Sequence, residues 1–394
     1  MNQRKKRIQI NESVLTGILF WCGLVIVSSN YITIPLIPLL SQSFHAQISQ
    51  VAWSGTIFSL FYAFGCLFTG PLSDRFGRKI VMVIGLLLLA VATEVLPLGT
   101  SLLWLMIWRG LEGLAASSFA PVVVTYIIEK FAPQKRGTVI GIVSSSFLVS
   151  AIIGQLLSSY LSQQFQWQMV FFVFGILYLL TAILVVLCVP NTQVTRKKSH
   201  LKAMFSDFFQ LFFSKNLFKV YMIAIMLLLT FVAFYSVLGA YLTERFALTA
   251  NGIFHVRAIG IIGMLFAPFS GQLAAKFNID RLLKYALGFA LMGILMVAIS
   301  PNFYLLVIMS IIFVGGIALT VPTLISLVGQ LGGEKHSLAV SLYTFILFVG
   351  AGLGPLAAVQ LMKLGNYMIS LLILAFLLCI SWLISLTIHT SKEA

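Results

Sequence analysis

Charged residues are scarce in this sequence, and acidic residues most of all. Asp and Glu together number 10 among 394 residues, and all charged residues make up only 9% of the chain. A soluble domain is about 25% charged. With 60% hydrophobic residues and almost no amphipathic segments that would give helices a wet face, the composition excludes a soluble globular protein.

Cysteines and catalytic motifs are also scarce. The four cysteines each lie singly inside an apolar run, which argues against a disulfide framework or a cysteine metal site. The sequence contains no phosphate-binding loop, no nucleophile paired with a base and no metal-ligating cluster. We therefore expect no cofactor, no metal, no enzymatic activity and no ATP hydrolysis by this chain.

Long apolar runs fill most of the chain. A bilayer core of about 30 Å is crossed by a helix of about 20 residues, and the runs have this length. They predict an all-α membrane protein with twelve transmembrane helices in two pseudo-symmetric six-helix bundles. The predicted spans are 14–40, 49–70, 79–98, 101–126, 137–161, 167–190, 218–243, 250–273, 282–300, 302–329, 337–362 and 367–389.

The basic residues indicate how this protein is oriented. With the N-terminus inside, 21 of the 25 basic residues fall on the cytoplasmic side, as the positive-inside rule requires. This asymmetry explains the net charge of +15 without a nucleic-acid partner, and the basic N-terminal tail can lie against anionic lipid. The start of the chain resembles a cytoplasmic tail more than a signal peptide. We predict a multi-pass protein of a bacterial plasma (inner) membrane, with both termini cytoplasmic.

The two halves of the chain form an internal repeat. The segment that starts at Gly70 matches the one that starts at Gly271, and Pro121 matches Pro322. We predict an N-terminal bundle at 1–190, a cytoplasmic linker at 191–217 and a C-terminal bundle at 218–394. The second copy has lost charge, since Ala275, Ser310 and Phe313 align with Asp74, Arg109 and Glu112. Paired repeats with the pathway at their interface are typical of secondary transporters.

The stretch GPLSDRFGRK concentrates charge between the second and third predicted spans. Gly70 allows a close helix approach, Pro71 is expected to end the helix, and Gly77 permits a tight turn. Asp74 can cap a helix or pair with Arg78. A solvated turn with inside-positive charge is the simpler interpretation.

The pattern G-x-L-x-D-R-x-G-R-K resembles the loop signature of the major facilitator superfamily at every defining position. In that family the acidic residue docks against the other bundle and latches the outward-open state. The resemblance therefore implies a transporter fold with a cytoplasmic gate. The implied gate residues are Gly70, Asp74, Arg75, Gly77, Arg78, Lys79, Glu129 and Arg136.

Two intramembrane charges lie three residues apart in the fourth span, on one helix face. Arg109 and Glu112 are either a structural ion pair or a proton or substrate site, because a lone charge in hydrocarbon is costly. The segment resembles the family motif R-x-x-Q-G, with Glu112 in place of Gln, and in drug–proton antiporters this arginine is linked to proton coupling. Glu94 in the third span is a second candidate proton carrier, or it reaches the membrane interface.

The fifth and eleventh spans carry small residues at helix-packing spacing. The eleventh contains Gly350, Gly354 and Pro355, which resemble the antiporter signature linked to export. The fifth has a degenerate copy in which Gly154 is kept and Gln155 replaces the proline.

The sequence predicts a proton-coupled exporter of a small organic molecule, a monomer that works by alternating access. An importer or facilitator of a metabolite is the alternative, and a non-transporting membrane enzyme or receptor is a third hypothesis. Arg257 either anchors its span at the interface or faces the cavity and attracts an anionic group. The predicted substrate-binding residues are Asn30, Tyr31, Tyr62, Arg109, Glu112, Gln155, Tyr235 and Arg257.

Overall fold

The computed structural model describes residues 11–191 and 201–388, and every regular element in these two ranges is helical. Long apolar sequences form helices here because a helix satisfies all of its own backbone hydrogen bonds, as a bilayer requires. The helices of the first half are α1 (Glu12–Ser28), α2 (Ile37–Ser43), α3 (Ile48–Phe76), α4 (Arg78–Val95), α5 (Leu102–Ala116), α6 (Ala120–Lys130), α7 (Pro133–Gln164) and α8 (Gln168–Cys188).

The second half begins with α9 and then contains the remaining spans. Its helices are α9 (Leu201–Phe212), α10 (Lys215–Phe246), α11 (Ala250–Ile259), α12 (Ile261–Met264), α13 (Ser270–Phe277), α14 (Ile279–Ile299), α15 (Phe303–Leu331), α16 (His336–Met362) and α17 (Tyr367–Leu386). Within the described ranges, eleven helical stretches are long and apolar enough to cross a membrane, and α1 is a shorter apolar helix. This is the twelve-helix, two-bundle architecture that the sequence predicts.

Three predicted spans are interrupted. The first, predicted as one helix over 14–40, ends at Ser28, passes through turns over 29–36 and resumes as α2. Pro35 and Pro38 lie in or beside this break, where each removes a backbone donor. The fourth span pauses between α5 and α6, and the eighth is divided into α11, α12, a 3₁₀ turn at Ala267–Phe269 and α13.

The loop after the second span is shorter than the sequence suggests. The expectation that Pro71 ends the helix is wrong, because α3 continues past it to Phe76. Only Gly77 separates α3 from α4, and its φ of 99° is easily adopted by glycine. At the matching position of the second half, Asn278 makes the same turn with a φ of 65°. Gly77 is therefore the tight turn that the sequence predicts.

The two bundles meet along α3 against α16 and along α7 against α13 and α15. We call the end of the molecule where α3 meets α4 and where α7 and α16 begin the basic end, since Lys79, Lys135 and Lys335 lie there. The other end, where α3 begins and α16 finishes, is the distal end. Large apolar side chains such as Leu88 and Phe376 are exposed on the outside, as a lipid-facing surface requires.

The central linker contains a helix of its own. Helix α9 lies beside α10 and α16 at the basic end. Asp207 on α9 forms an ion pair with Lys335, with 2.8 Å between Oδ1 and Nζ. Phe209 on the same helix is exposed. The predicted N-terminal basic tail, the linker residues 192–200 and the C-terminal Lys392 lie outside the described residues.

Candidate functional site

A cavity of about 560 Å³ lies between the two bundles. Its walls come from the broken first span, α3 and α7 on one side and from α10, α11 and α16 on the other. Ser49, Trp53 and Gln360 line its mouth and are exposed, so the cavity reaches the surface at the distal end. A volume of this size is typical of sites for small organic molecules.

Aromatic rings bridge the two bundles beside the cavity. Tyr62 on α3 and Phe348 on α16 have ring centroids 4.2 Å apart, and both side chains are buried. One helix turn nearer the distal end, Ser59 donates a 2.7 Å hydrogen bond to Asn30 in the cavity wall. The Tyr62–Phe348 pair therefore separates the cavity from the basic end.

Beyond these rings the bundles touch through glycines. A Cβ built on Gly70 would overlap the hydroxyl of Ser341, and one built on Gly137 would lie 2.8 Å from the Cα of Gly271. Contacts this close bring helix backbones together and leave no passage between them. The basic end is thus closed in this structure while the distal end is open.

Arg78 organises the charged residues at the closed end. Its guanidinium pairs with Asp74 and, at 2.7 Å, with Glu129, and it donates to the Gly70 carbonyl at 3.3 Å and to the Ser73 hydroxyl at 2.5 Å. The side chain is 4% exposed. Because Gly70 is the residue that touches Ser341, Arg78 fixes the part of α3 that docks on the other bundle.

The other predicted gate residues have separate contacts. Arg75 is exposed and lies over the ring of Phe76 at 5.4 Å. Lys79 donates a 2.7 Å hydrogen bond to the carbonyl of Val186 at the end of α8, and Arg136 donates to Phe131 within the turn before α7. These three contacts neither join the Arg78 cluster nor cross to the second bundle.

A fully buried ion pair lies inside the first bundle. Arg109 Nη1 is 2.7 Å from Glu112 Oε2, and both side chains are 0% exposed. Thr93 on α4 donates to the other carboxylate oxygen at 2.5 Å, and the guanidinium carbon lies 4.3 Å from the ring centroid of Phe58. Both carboxylate oxygens of Glu112 therefore accept a hydrogen bond, as a buried charge requires, whereas Nε of Arg109 is buried without a hydrogen-bond partner among the described residues.

The same arginine holds the break in the first span. Arg109 Nη2 donates a 2.9 Å hydrogen bond to the carbonyl of Ser29, which is the first residue beyond α1. The next residue, Asn30, lines the cavity. The ion pair is thus connected to the cavity wall through one hydrogen bond, to Ser29, and the peptide bond from Ser29 to Asn30.

The predicted substrate residues divide into two groups. Asn30, Tyr31, Gln155, Tyr235 and Arg257 line the cavity and come from four segments, which are the break in the first span, α7, α10 and α11. The lining does not include Tyr62, Arg109 and Glu112, because the first lies at the ring contact and the other two lie within the first bundle. Glu94, the second candidate proton carrier, is half-buried against Gly175 of α8 and is also absent from the lining.

Sequence reasoning missed several residues of these sites. Trp53 and Gln360 line the cavity mouth, and Thr93 and Ser29 complete the surroundings of the ion pair. A polar residue in an apolar run was the available signal for Gln360. No local pattern could have paired Thr93 with Glu112, since the two side chains come from different helices.

Comparison with known proteins shows which families and relatives this chain is similar to. The model of the Major Facilitator Superfamily matches residues 19–355. An uncharacterized transporter of Buchnera aphidicola (subsp. Schizaphis graminum) is 26% identical over 356 residues, which cover 89% of this chain and 85% of that protein. Multidrug resistance protein 1 of Bacillus subtilis is 22% identical over 331 residues, which cover 82% of this chain and 84% of that protein.

A solved structure has the same overall arrangement. The Escherichia coli fucose:proton symporter FucP is similar with a TM-score of 0.76 over 96% of this chain and 99% of that chain. The sequences are 14% identical, so the likeness concerns the fold alone.

Proposed function

Because this chain belongs to the Major Facilitator Superfamily and is a membrane transporter of that fold, not an enzyme, we propose that it exports a small organic molecule in exchange for protons. It works by alternating access in the plasma membrane of a bacterium, as a monomer surrounded by lipid. The two bundles, at 1–190 and 218–394, rock about the central cavity, and the segment 191–217 connects them at the cytoplasmic side.

The direction of opening supports alternating access. The basic end faces the cytoplasm if the positive-inside rule holds, so the structure corresponds to an outward-facing state. Asp74, Arg78 and Glu129 then act as the gate that stabilises the closed cytoplasmic end. Opening that end requires Gly70 to leave Ser341 and Gly137 to leave Gly271.

The observation that carries the proton-coupling proposal is the sealed Arg109–Glu112 pair and its bond to Ser29. Protonation of Glu112 would cancel the charge that holds Arg109 Nη1 and weaken the pair. Because the same guanidinium holds the Ser29 carbonyl, the change reaches the break in the first span and the cavity wall beside it. Occupancy of the proton site and of the cavity would thus be linked without a shared ligand.

Two observations favour export over import. A relative over most of the chain carries the name of a multidrug resistance protein. The family's export-linked glycines also form close contacts here, since a Cβ on Gly350 would overlap the carbonyl of Ile225 and one on Gly354 would lie 2.7 Å from Val232 Cβ.

Membrane vesicles of both orientations test this proposal. Inside-out vesicles carrying the protein are incubated with a mixed library of anionic, neutral and cationic organic compounds under an acid-inside gradient, and accumulated compounds are identified by mass spectrometry. We expect a compound to accumulate in the wild-type vesicles, to be lost when an ionophore collapses the gradient, and to be lost in Glu112→Gln. Glu94→Gln tests the second carboxylate in the same assay.

The matched control is Glu244→Gln, which removes an exposed carboxylate at the distal end of α10 and should leave accumulation unchanged. Accumulation confined to right-side-out vesicles under an acid-outside gradient would show an importer. Undiminished gradient-driven accumulation by Glu112→Gln would refute the assignment of the proton carrier.

A further inference from the structure

The charge of the cavity wall differs from that of a site for cationic drugs. Among the described residues that line the cavity, Arg257 on α11 carries the one formal charge, and no Asp, Glu, Lys or His accompanies it. The remaining walls are largely aliphatic and aromatic, with a few neutral polar groups. A cationic molecule would therefore meet a like charge here and find no carboxylate to offset it.

Arg257 has hydrogen-bonding capacity left over. Its Nη2 donates a 2.9 Å hydrogen bond to the carbonyl of Tyr235 on α10. Its Nε is buried and has no hydrogen-bond partner among the described residues, and no described carboxylate forms an ion pair with it. A guanidinium has five N–H donors, so most of them are available to a ligand.

A second donor lies in the same wall. The hydroxyl of Tyr235 is also buried without a hydrogen-bond partner in the described part of the chain. Two glycines make room for this pair, because a Cβ on Gly239 would lie 2.8 Å from Arg257 Nη2 and one on Gly260 would overlap the Tyr235 hydroxyl. The guanidinium and the phenol are therefore held side by side, and each keeps donors that have no acceptor among the described residues.

Leaving a half-buried arginine unpaired is costly in a membrane protein, and ionisable groups there are usually paired or functional. The first half of this protein pairs its buried arginine with Glu112, whereas the second half leaves Arg257 without an acid in the cavity wall. A ligand with one negative charge would restore neutrality. It would also accept hydrogen bonds from both Arg257 and Tyr235, and charge-assisted bonds of this kind are the strong ones.

The opposite walls indicate the rest of the ligand. Trp53 and Tyr31 lie on the first-bundle side and Phe231 lies beside Tyr235, so flat apolar surface surrounds the space. Asn30, Ser59 and Gln155 add neutral polar groups, of which the first two already bond to each other. This lining suits an apolar, preferably aromatic body with a single acidic group at one end.

We propose that the cavity binds a small organic monoanion, such as an arylcarboxylate, whose acidic group pairs with Arg257 and is bonded by Tyr235. This inference rests on the proposed transport function, since it names the class of molecule that the transporter carries. It is independent of the direction of transport and of the proton carrier.

The test measures binding to the purified, full-length protein in detergent, where no gradient is needed. The probes are 2-naphthoate and indole-3-acetate, each compared with its uncharged amide, and 2-naphthylmethylamine as the cation. We expect the carboxylates to raise the melting temperature of the wild type. The amides and the amine should need at least tenfold higher concentrations to produce the same shift. Because this binding needs no gradient, a failure of proton coupling in the vesicle assay would leave the response of the wild type to the carboxylates intact, which separates the two proposals.

Variants locate the anion. Arg257→Gln should abolish the carboxylate effect, Arg257→Lys should keep part of it, and Gly239→Ala should weaken it by displacing the guanidinium. Arg245→Gln is the matched control, because it removes a positive charge from an exposed residue at the same end of the molecule that does not line the cavity. A Tyr235→Phe variant that folds normally should weaken binding by several fold.

Either of two results overturns the proposal. The first is stabilisation by the amides or the amine as strong as that by the carboxylates. The second is a carboxylate effect that is absent from the wild type or unchanged in Arg257→Gln. If Arg257→Gln does not fold, Gly239→Ala and Arg257→Lys decide the question in the same assay.

Discussion

The two halves of this transporter share a backbone plan but differ in chemistry. Ser101 caps α5 by accepting a hydrogen bond from the backbone of Trp104, and Asn302, at the matching position of the repeat, caps α15 by accepting one from the backbone of Tyr304. Gly77 and Asn278 make the same left-handed turn. The duplication has therefore kept the features that begin helices and turn the chain.

The interiors of the two bundles have diverged. Where the first half buries the Arg109–Glu112 pair, the second half has Ser310 and Phe313. Phe313 is fully buried and packs against Phe234 with ring centroids 4.3 Å apart. An apolar core needs no counter-charge, so this bundle is stable without a proton site. Under the proposed function, this difference becomes a division of labour, in which the first half gates and couples while the second supplies the charge in the cavity.

Removal of one member of the ion pair should have the largest effect. Arg109→Gln leaves Glu112 buried without its partner, which costs about 3–5 kcal/mol of folding free energy. Stability should recover partly at low pH, because a protonated Glu112 needs no counter-charge. The double variant with Glu112→Gln should be more stable than Arg109→Gln alone. Ser310→Ala, at the matching position of the second half, should cost about 1 kcal/mol or less, as measured by denaturation in mixed micelles.

The close glycine contact between the bundles gives the next largest effect. Gly271→Leu puts a side chain into the backbone of Thr138, so the basic end can no longer close. Spin labels at Lys130 and Arg281, both exposed at that end, should show a longer distance and transport should fall at least tenfold. Gly17→Leu is the control, since a Cβ at Gly17 meets nothing within 4 Å. An unchanged distance distribution in Gly271→Leu would contradict the closed state described here.

The fold was more predictable from this sequence than the site. Apolar runs, basic loops and the match of Gly70 with Gly271 are local or periodic signals, so the helix number and the repeat could be inferred. The break at 29–36 was missed because prolines in membrane helices can be tolerated, as Pro71 in α3 demonstrates. Proline therefore lies within a continuous helix in α3 and beside a broken helix in the first span. The difference lies in tertiary contacts, such as the hydrogen bond from Arg109 to Ser29, which the local sequence does not reveal.

The site could be predicted only in part, because its residues meet across helices. Arg257 was recognised as a charge in an apolar span, with an interfacial anchor as the alternative interpretation. The sequence could not show that Arg257 keeps donors without an acceptor, or that no acidic residue accompanies it in the cavity wall. Both features depend on how α11 packs against α10.

The Arg78 cluster provides a smaller test of the difference between the halves. Arg78→Ala removes the bonds to Glu129, Ser73 and the Gly70 carbonyl, and we expect it to destabilise the closed basic end by about 1–3 kcal/mol. The spin-label distances should then show a mixture of closed and open molecules. Lys276→Ala, in the copy without the charge cluster, should leave the distribution unchanged. Equal effects of the two substitutions would refute a gating role specific to the first half.

The turn at the repeated loop should give the smallest effect. Asn278→Gly keeps a residue that accepts positive φ and should change stability by only a few tenths of a kcal/mol, whereas Asn278→Ala should cost about 1 kcal/mol. Thermal melting of the two variants in detergent checks the difference. Equal melting temperatures would mean that the turn at Asn278 is less constrained than that at Gly77.

The most direct test of the division of labour compares Glu112→Gln with Arg257→Gln in two assays, 2-naphthoate binding in detergent and proton-driven 2-naphthoate accumulation in inside-out vesicles. The account predicts that Glu112→Gln still binds 2-naphthoate, with an affinity shifted because the two sites are linked, but loses gradient-driven accumulation, and that Arg257→Gln loses both because it no longer binds. Loss of binding in Glu112→Gln, or normal binding in Arg257→Gln, would contradict it.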